Sequence, residues 1–163
     1  KIPYATLHRT IKQMAGLILL QAIGKSIVIS PDKKCSTIKS YLVVSSEEEK
    51  KEYLQNQPII NKINSELDTK DAVILFGSYA KKSQTENSDI DILIINKNGE
   101  KDISFSKYEL LYKKKINPIY ITKKEFKDMI KDNEENVGKQ ALKNHILLNN
   151  PEEFWSMVLD AIR

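Results

Sequence analysis

The sequence is poor in cysteine and has no long uninterrupted run of apolar residues. Its one cysteine, Cys35, excludes a disulfide within the chain and cannot by itself anchor a zinc site. The longest apolar stretches, at residues 15–22 and 90–95, are too short to cross a membrane. No signal peptide is visible, and we therefore expect a globular protein of the reducing cytoplasm.

Acidic side chains are scarce at the amino-terminal end. Residues 1–46 hold seven basic side chains against one acid, a net charge of +6, although the whole chain of 163 residues carries only +4. The remainder must therefore carry a net charge of −2. The seven basic residues are Lys1, Arg9, Lys12, Lys25, Lys33, Lys34 and Lys39. This distribution favours contact of the first segment with a polyanion, and charge alone leaves a solvated lysine-rich face as the alternative.

Residues 1–45, which we call the head, contain one helical and two extended patterns. Apolar residues at helical spacing predict a helix over about residues 3–15, with Gly16 as its stop. These apolar residues are Leu7, Ile11 and Met14. Two β-rich runs, at residues 17–22 and 26–30, lie on either side of Gly24 and predict a hairpin.

Residues 46–67 are predicted to form a helical linker, within a helical pattern that extends from about residue 36. Ser46 and Glu49 match a capping box, which marks the start of a helix. Pro58 suits the first turn of a further helix. Nothing in this stretch points to chemistry.

Residues 68–163, which we call the body, alternate short apolar strands with helices. The predicted strands are residues 72–76, 90–95 and 116–121. The predicted helices are residues 105–115, 123–131, 134–148 and 152–162. This alternation is typical of an α/β or α+β domain.

The residues suited to chemistry lie at the ends of two predicted strands. Gly77 lets the backbone approach a ligand, and a helix that began at Ser78 would direct free N–H groups at a phosphate. Asp89 and Asp91 are two residues apart on a strand, so both carboxylates are expected on one face. Two like charges side by side need a positive partner. Hydroxyl donors or lysines could serve, but a divalent cation that shares phosphate oxygens is the strongest candidate.

Together these residues resemble the nucleotidyltransferase superfamily that includes DNA polymerase beta, and in particular its minimal archaeal and bacterial members. The signature is Gly-Ser, ten further residues and Asp-x-Asp, which here is Gly77-Ser78 followed by Asp89-Ile90-Asp91. The resemblance implies a small mixed sheet with flanking helices, the polymerase beta-like fold. It also implies transfer of a nucleotidyl group, AMP in the simplest case, from ATP or another NTP with the help of Mg²⁺ or Mn²⁺.

The resemblance assigns roles to individual residues. The catalytic and metal-binding residues would be Asp89 and Asp91. The nucleotide-binding residues would be Gly77, Ser78, Lys81 and Ser88. For Lys81, an exposed surface lysine is the alternative.

Two positions depart from the family pattern. Lys82 stands where relatives often carry glycine. Active members usually carry a third carboxylate on the next strand, and Asn117 occupies the matching position here. Asparagine can ligate a metal through its carbonyl oxygen but cannot act as a base. Asp102 or Glu109 could take its place in space, so the sequence predicts nucleotide binding and leaves turnover open.

The head resembles, in part, the recognition helix and wing of a winged helix-turn-helix domain. The helices that normally precede a recognition helix would lie before Lys1. The predicted DNA-binding residues are on the polar face of the helix and at the hairpin turn, and they are Thr6, Arg9, Lys12, Gln13 and Lys25. An ordinary amphipathic surface helix is the alternative.

Three functions compete on this basis. The first is a Mg²⁺-dependent nucleotidyltransferase with a DNA-binding head, whose acceptor, as in minimal relatives, can be a protein such as a small helical toxin. The second is a winged-helix transcriptional regulator, with a homodimer as one option, that binds nucleotide without turnover. The third is a structural partner-binding domain, which leaves Asp89 and Asp91 unexplained.

Overall fold

The structure is a computed structural model that describes residues 2–32, 35 and 37–162. Three basic residues of the head, Lys1, Lys33 and Lys34, lie outside the described residues. The described residues form eight helices and six strands. The helices are α1 (Tyr4–Gln13), α2 (Ile38–Gln55), α3 (Pro58–Ser65), α4 (Gly77–Ala80), α5 (Ser106–Tyr112), α6 (Lys123–Lys131), α7 (Val137–Lys143) and α8 (Pro151–Ala161). The strands are β1 (Ile18–Ile23), β2 (Ser26–Pro31), β3 (Ala72–Phe76), β4 (Ile90–Asn96), β5 (Ile116–Thr122) and β6 (Ile146–Asn149).

The centre of the body is a four-stranded sheet in the order β5-β4-β3-β6. Strand β3 pairs antiparallel with β4 and β6, while β4 pairs parallel with β5. The predicted α/β architecture, with a small mixed sheet and flanking helices, is confirmed. The three strands predicted in the body are confirmed as β3, β4 and β5.

Helices cover both faces of this sheet. Because side chains alternate along a strand, Val73 and Leu75 face a core that includes residues of α2, α3 and α5. Ile74 and Phe76 face the opposite core, which includes residues of α6, α7 and α8. A sheet buried on both faces needs apolar residues at nearly every strand position, which is why the strands read as continuous apolar runs.

The helix predicted over residues 134–148 is wrong in its second half. The helix α7 ends at Lys143, and the apolar run that follows forms the edge strand β6. Ile146 and Leu147 pair with residues of β3, about seventy positions earlier in the chain. A short apolar run fits a helix or a strand equally well by pattern, so the free edge of β3 decides the outcome.

The capping box predicted at Ser46 is also wrong. Ser46 is buried in the middle of α2, which is one continuous helix. Its hydroxyl donates to the carbonyl of Leu42 at 2.8 Å and accepts the indole N–H of Trp155 at 2.9 Å. The serine therefore joins α2 to α8. The predicted place of Pro58, in the first turn of α3, is confirmed.

The head consists of α1 and the β1–β2 hairpin, as predicted, with Gly24 in the turn at a φ of +60°. Within residues 2–32 no residue is buried. Apolar hairpin side chains are open to solvent, Ile27 to 67% and Ile23 to 58%. An isolated two-stranded hairpin is marginally stable in water, so packing within the head contributes little to the stability of the chain. Among the described helices, none is long and apolar enough to span a membrane.

We predict that Ser46→Ala destabilises the body by about 1 kcal/mol, because the indole N–H of Trp155 loses its acceptor. The matched control is Ser45→Ala, which changes an exposed neighbour in the same helix. It should be neutral or slightly stabilising, since alanine has the higher helix propensity. Urea denaturation followed by tryptophan fluorescence measures both. Equal effects would contradict the assigned contact between α2 and α8.

Candidate nucleotide and metal site

The acid pair lies where β4 begins, in the centre of the sheet. Asp91 is opposite Phe76 of β3 on one side and opposite Asn117 of β5 on the other. Asp89 directly precedes the strand, and its side chain is 37% exposed. Ile90, the residue between Asp89 and Asp91, is fully buried and anchors the start of β4 in the core. The sheet thus holds both carboxylates at its solvent-accessible end.

The two carboxylates meet at one amide group. The Nδ2 atom of Asn117 donates to Asp89 Oδ2 at 3.2 Å and to Asp91 Oδ1 at 3.3 Å. One nitrogen can reach both acids only if their carboxylates lie on the same side of the strand. A neutral amide donor between two carboxylates relieves part of their repulsion, although it carries no full charge.

Gly77 brings the backbone against this acid pair. It is the first residue of α4, directly after β3, and has a φ of +71°. A Cβ atom at Gly77 would lie 2.3 Å from Asp91 Oδ2. Both the left-handed backbone and the close approach require glycine here. The Gly-Ser turn and the acid pair therefore form one site, and Ser78 is the next residue on the turn.

Sequence reasoning missed Lys115. Its Nζ atom lies 3.2 Å from Asp89 Oδ2. The hydrogen bond from Asn117, followed by the hydrogen bond and charge of Lys115, lowers the pKa of Asp89 below its usual value. Asp89 is therefore ionised at neutral pH. Lys115 directly precedes β5, and only the parallel register of β4 and β5 places it beside Asp89.

The other predicted nucleotide-binding residues are Lys81, directly after α4, and Ser88, in the loop before Asp89. Lys81 is exposed and caps α4, with its backbone N–H 3.2 Å from the carbonyl of Gly77. The Ser88 hydroxyl accepts the backbone N–H of Thr85 at 2.8 Å, so it shapes the loop before Asp89. Lys82, where relatives often carry glycine, has a φ of +56°, the left-handed conformation that favours glycine.

Neither Glu109 nor Asp102 supplies the third carboxylate that is absent at position 117. Glu109 Oε1 accepts the backbone N–H of Ile116 at 2.9 Å, and Asp102 Oδ2 accepts from Asn96 at 3.1 Å. The part of the chain that the structure describes contains no group of three or more His, Cys, Asp or Glu residues suited to a metal. A cation at Asp89 and Asp91 would complete its shell with phosphate and water oxygens. Mg²⁺ is commonly bound in this way, so the residues present fit it.

The predicted DNA-binding residues all lie on the surface of the head. Thr6, Arg9 and Gln13 are exposed on α1. Lys12 and Lys25 line an open groove of about 510 Å³ between α1 and the hairpin. The apolar residues that line the same groove include Leu7, Ile11, Leu20, Ile27 and Ile29.

Comparison with known proteins agrees with the motif. Residues 58–142, slightly more than half of the chain, match the family model of the nucleotidyltransferase domain. A candidate protein adenylyltransferase of Methanocaldococcus jannaschii is 44% identical over 81 residues, which cover 45% of this chain and 81% of that protein. A crystal structure of a toxin–antitoxin with AMP-PNP is 18% identical and covers 66% of this chain and 84% of its own, with a TM-score of 0.44. The boundaries between head, linker and body stay a prediction.

We predict that Gly77→Ala costs more stability than Gly99→Ala, although both glycines have a φ of +71°. The left-handed backbone costs each variant about 1–2 kcal/mol. Only the alanine at position 77 also collides with Asp91, because the contacts at Gly99 begin at 3.4 Å. Chemical denaturation of both variants measures the difference.

The double variant Gly77→Ala, Asp91→Ala provides the test of cause. Once the Asp91 carboxylate is removed, the loss of stability caused by Gly77→Ala, measured relative to Asp91→Ala, should fall to the level of Gly99→Ala. A loss that stays the same in the double variant would show that the collision with Asp91 is not its source.

Proposed function

The chain belongs to the nucleotidyltransferase domain family, and we propose that it transfers a nucleotidyl group from a nucleoside triphosphate to a protein hydroxyl with Mg²⁺ or Mn²⁺. The simplest case is AMP from ATP. The observation that carries this proposal is the contact of Asp91 with the backbone of Gly77, beside Asp89. The M. jannaschii relative, a candidate protein adenylyltransferase, supports a protein as the acceptor.

In this proposal the turn after β3 binds the triphosphate. The backbone N–H groups of the first turn of α4 and the hydroxyl of Ser78 donate to phosphate oxygens. Lys81 adds a positive charge at the end of the same short helix. Asp89 and Asp91 would hold the cation, which would neutralise phosphate charge and favour loss of the acceptor's proton.

The transfer exchanges one P–O bond for another. The acceptor oxygen attacks the α-phosphorus, the bond to the β-phosphate oxygen breaks, and pyrophosphate leaves. The acceptor proton goes to solvent, since Asn117, whose side chain contacts both acids, is an amide and not a base. We therefore propose slow transfer, in which Asn117 orients the acid pair and does not take up the proton.

We propose separately that the head binds duplex DNA. The net charge of +6 over residues 1–46 supports it. The exposure of Arg9 and Lys12 on α1 leaves both free to reach phosphates. This proposal does not depend on transfer, so the two can be tested independently.

For the nucleotide site, we predict that the variant Asp89→Asn, Asp91→Asn loses metal-dependent ATP binding by at least about tenfold, because charged contacts are the strong ones. Isothermal titration with a non-hydrolysable ATP analogue and Mg²⁺ measures the affinity. The control is Asp68→Asn, a single Asp-to-Asn substitution at an exposed position outside the site. Wild-type affinity in the double variant would refute the proposal. Mass spectrometry of a cell lysate incubated with protein, ATP and Mg²⁺ tests transfer to proteins.

For the head, we predict salt-dependent binding to duplex DNA that weakens in Arg9→Ala and Lys12→Ala. Each variant should reduce the slope of log K against log salt by about 1. Fluorescence anisotropy at several salt concentrations measures the slope, with Lys97→Ala on the body as the control. Binding that ignores salt and both head variants would contradict this proposal.

A further inference from the structure

We propose that Lys115 is a cation carried by the chain itself, which holds Asp89 before nucleotide binds and then pairs with the phosphates of the bound triphosphate. This inference rests on the proposed function, since it assumes that a metal and a triphosphate enter the acid pair. It adds a substrate-binding residue outside the Gly-Ser turn and the Asp-x-Asp motif.

The backbone of Lys115 is fixed beside the acid pair. Its carbonyl accepts the backbone N–H of Ile90, the residue between Asp89 and Asp91, at 2.9 Å. In the same peptide unit, the N–H of Ile116 donates to Glu109 Oε1 at 2.9 Å. The Cα atom of Lys115 therefore cannot move away from the start of β4 without breaking two hydrogen bonds.

The side chain of Lys115, in contrast, is not held by packing. It is 67% exposed, and its Nζ atom lies 3.2 Å from Asp89 Oδ2, the oxygen to which Asn117 also donates. An exposed ion pair of this kind contributes little to stability. A fixed backbone with an exposed, charged end is suited to exchange between partners.

The exchange follows from competition for one oxygen. A dication held by Asp89 and Asp91 would compete with Lys115 for the Asp89 carboxylate, so the ammonium group would be free to contact another anion. The bound triphosphate would then lie next to the released ammonium, within reach of a four-carbon side chain. Lys115 therefore weakens binding of a metal alone and strengthens binding of the metal with its triphosphate.

The neighbouring lysine provides a matched control. The Nζ atom of Lys114 donates to the backbone carbonyl of Glu86, in the loop before Asp89, and not to either acid of the pair. Lys114→Ala removes the same charge one residue away from Lys115. It should leave metal binding and nucleotide binding close to the wild-type values.

The test compares two ligands in one variant. Binding of Mn²⁺ alone is measured by electron paramagnetic resonance, and binding of a non-hydrolysable ATP analogue with Mg²⁺ by isothermal titration. In Lys115→Ala, Mn²⁺ alone should bind about two- to fivefold more tightly, since a competing ion pair is lost. The ATP analogue with Mg²⁺ should bind about tenfold more weakly, since a charged contact to phosphate is lost. Lys115→Arg, which keeps the charge, should retain most of the nucleotide affinity.

Opposite signs for the two ligands would support the inference. Equal affinities in Lys115→Ala and wild type would overturn it. A lower affinity for both ligands would also overturn it, because Lys115 would then only support the structure of the site. Wild-type protein that binds neither ligand would refute the proposed function, and with it this inference. If wild-type protein binds both ligands and Lys115→Ala behaves like Lys114→Ala, the inference is refuted and the proposed function is not.

Discussion

The contact between Asp91 and the backbone of Gly77 is the constraint on which the site depends. It arises from the antiparallel register of β3 and β4, which pairs Asp91 with Phe76, the residue before the glycine. A side chain at Gly77 would overlap the carboxylate at 2.3 Å, so the turn and the acid can share this space only because glycine has none. The parallel register of β4 and β5 then adds Asn117 to the same point. Three strands thus converge at one end of a buried sheet, where the Gly-Ser turn lies beside two carboxylates.

The parts that the sequence predicts well are those whose pattern is local. The buried strands β3, β4 and β5 are short apolar runs with clear ends, and Asp89 and Asp91 share a face because strands have a period of two. The parts that it misses depend on partners distant in the chain. The strand β6 needs the open edge of β3, Ser46 needs Trp155, and Lys115 needs the register of β5 against β4. No local signal identifies Lys115 within its run of three lysines, whereas the family motif identifies Gly77 without any knowledge of its conformation.

The head and the body differ in how they are held together. The body buries its sheet under helices on both faces. Helix α2 also contacts α8 through an ion pair between Lys39 and Glu152 at 3.0 Å. The head, within residues 2–32, buries no residue. Its positive charge and its open groove are the features that support the separate proposal that the head binds duplex DNA. In the two proposals, the acid pair of the body would bind phosphates through a cation, and the basic face of the head would bind the phosphates of duplex DNA directly.

The central claim is that a divalent cation and a triphosphate share the space between Asp89, Asp91 and the Gly-Ser turn. A crystal structure with Mn²⁺ and a non-hydrolysable ATP analogue tests it most directly, because Mn²⁺ gives an anomalous signal that locates the ion. We expect the anomalous peak between the carboxylates of Asp89 and Asp91, with phosphate oxygens on Gly77 and Ser78. A peak elsewhere, or triphosphate bound away from the turn, would contradict the account.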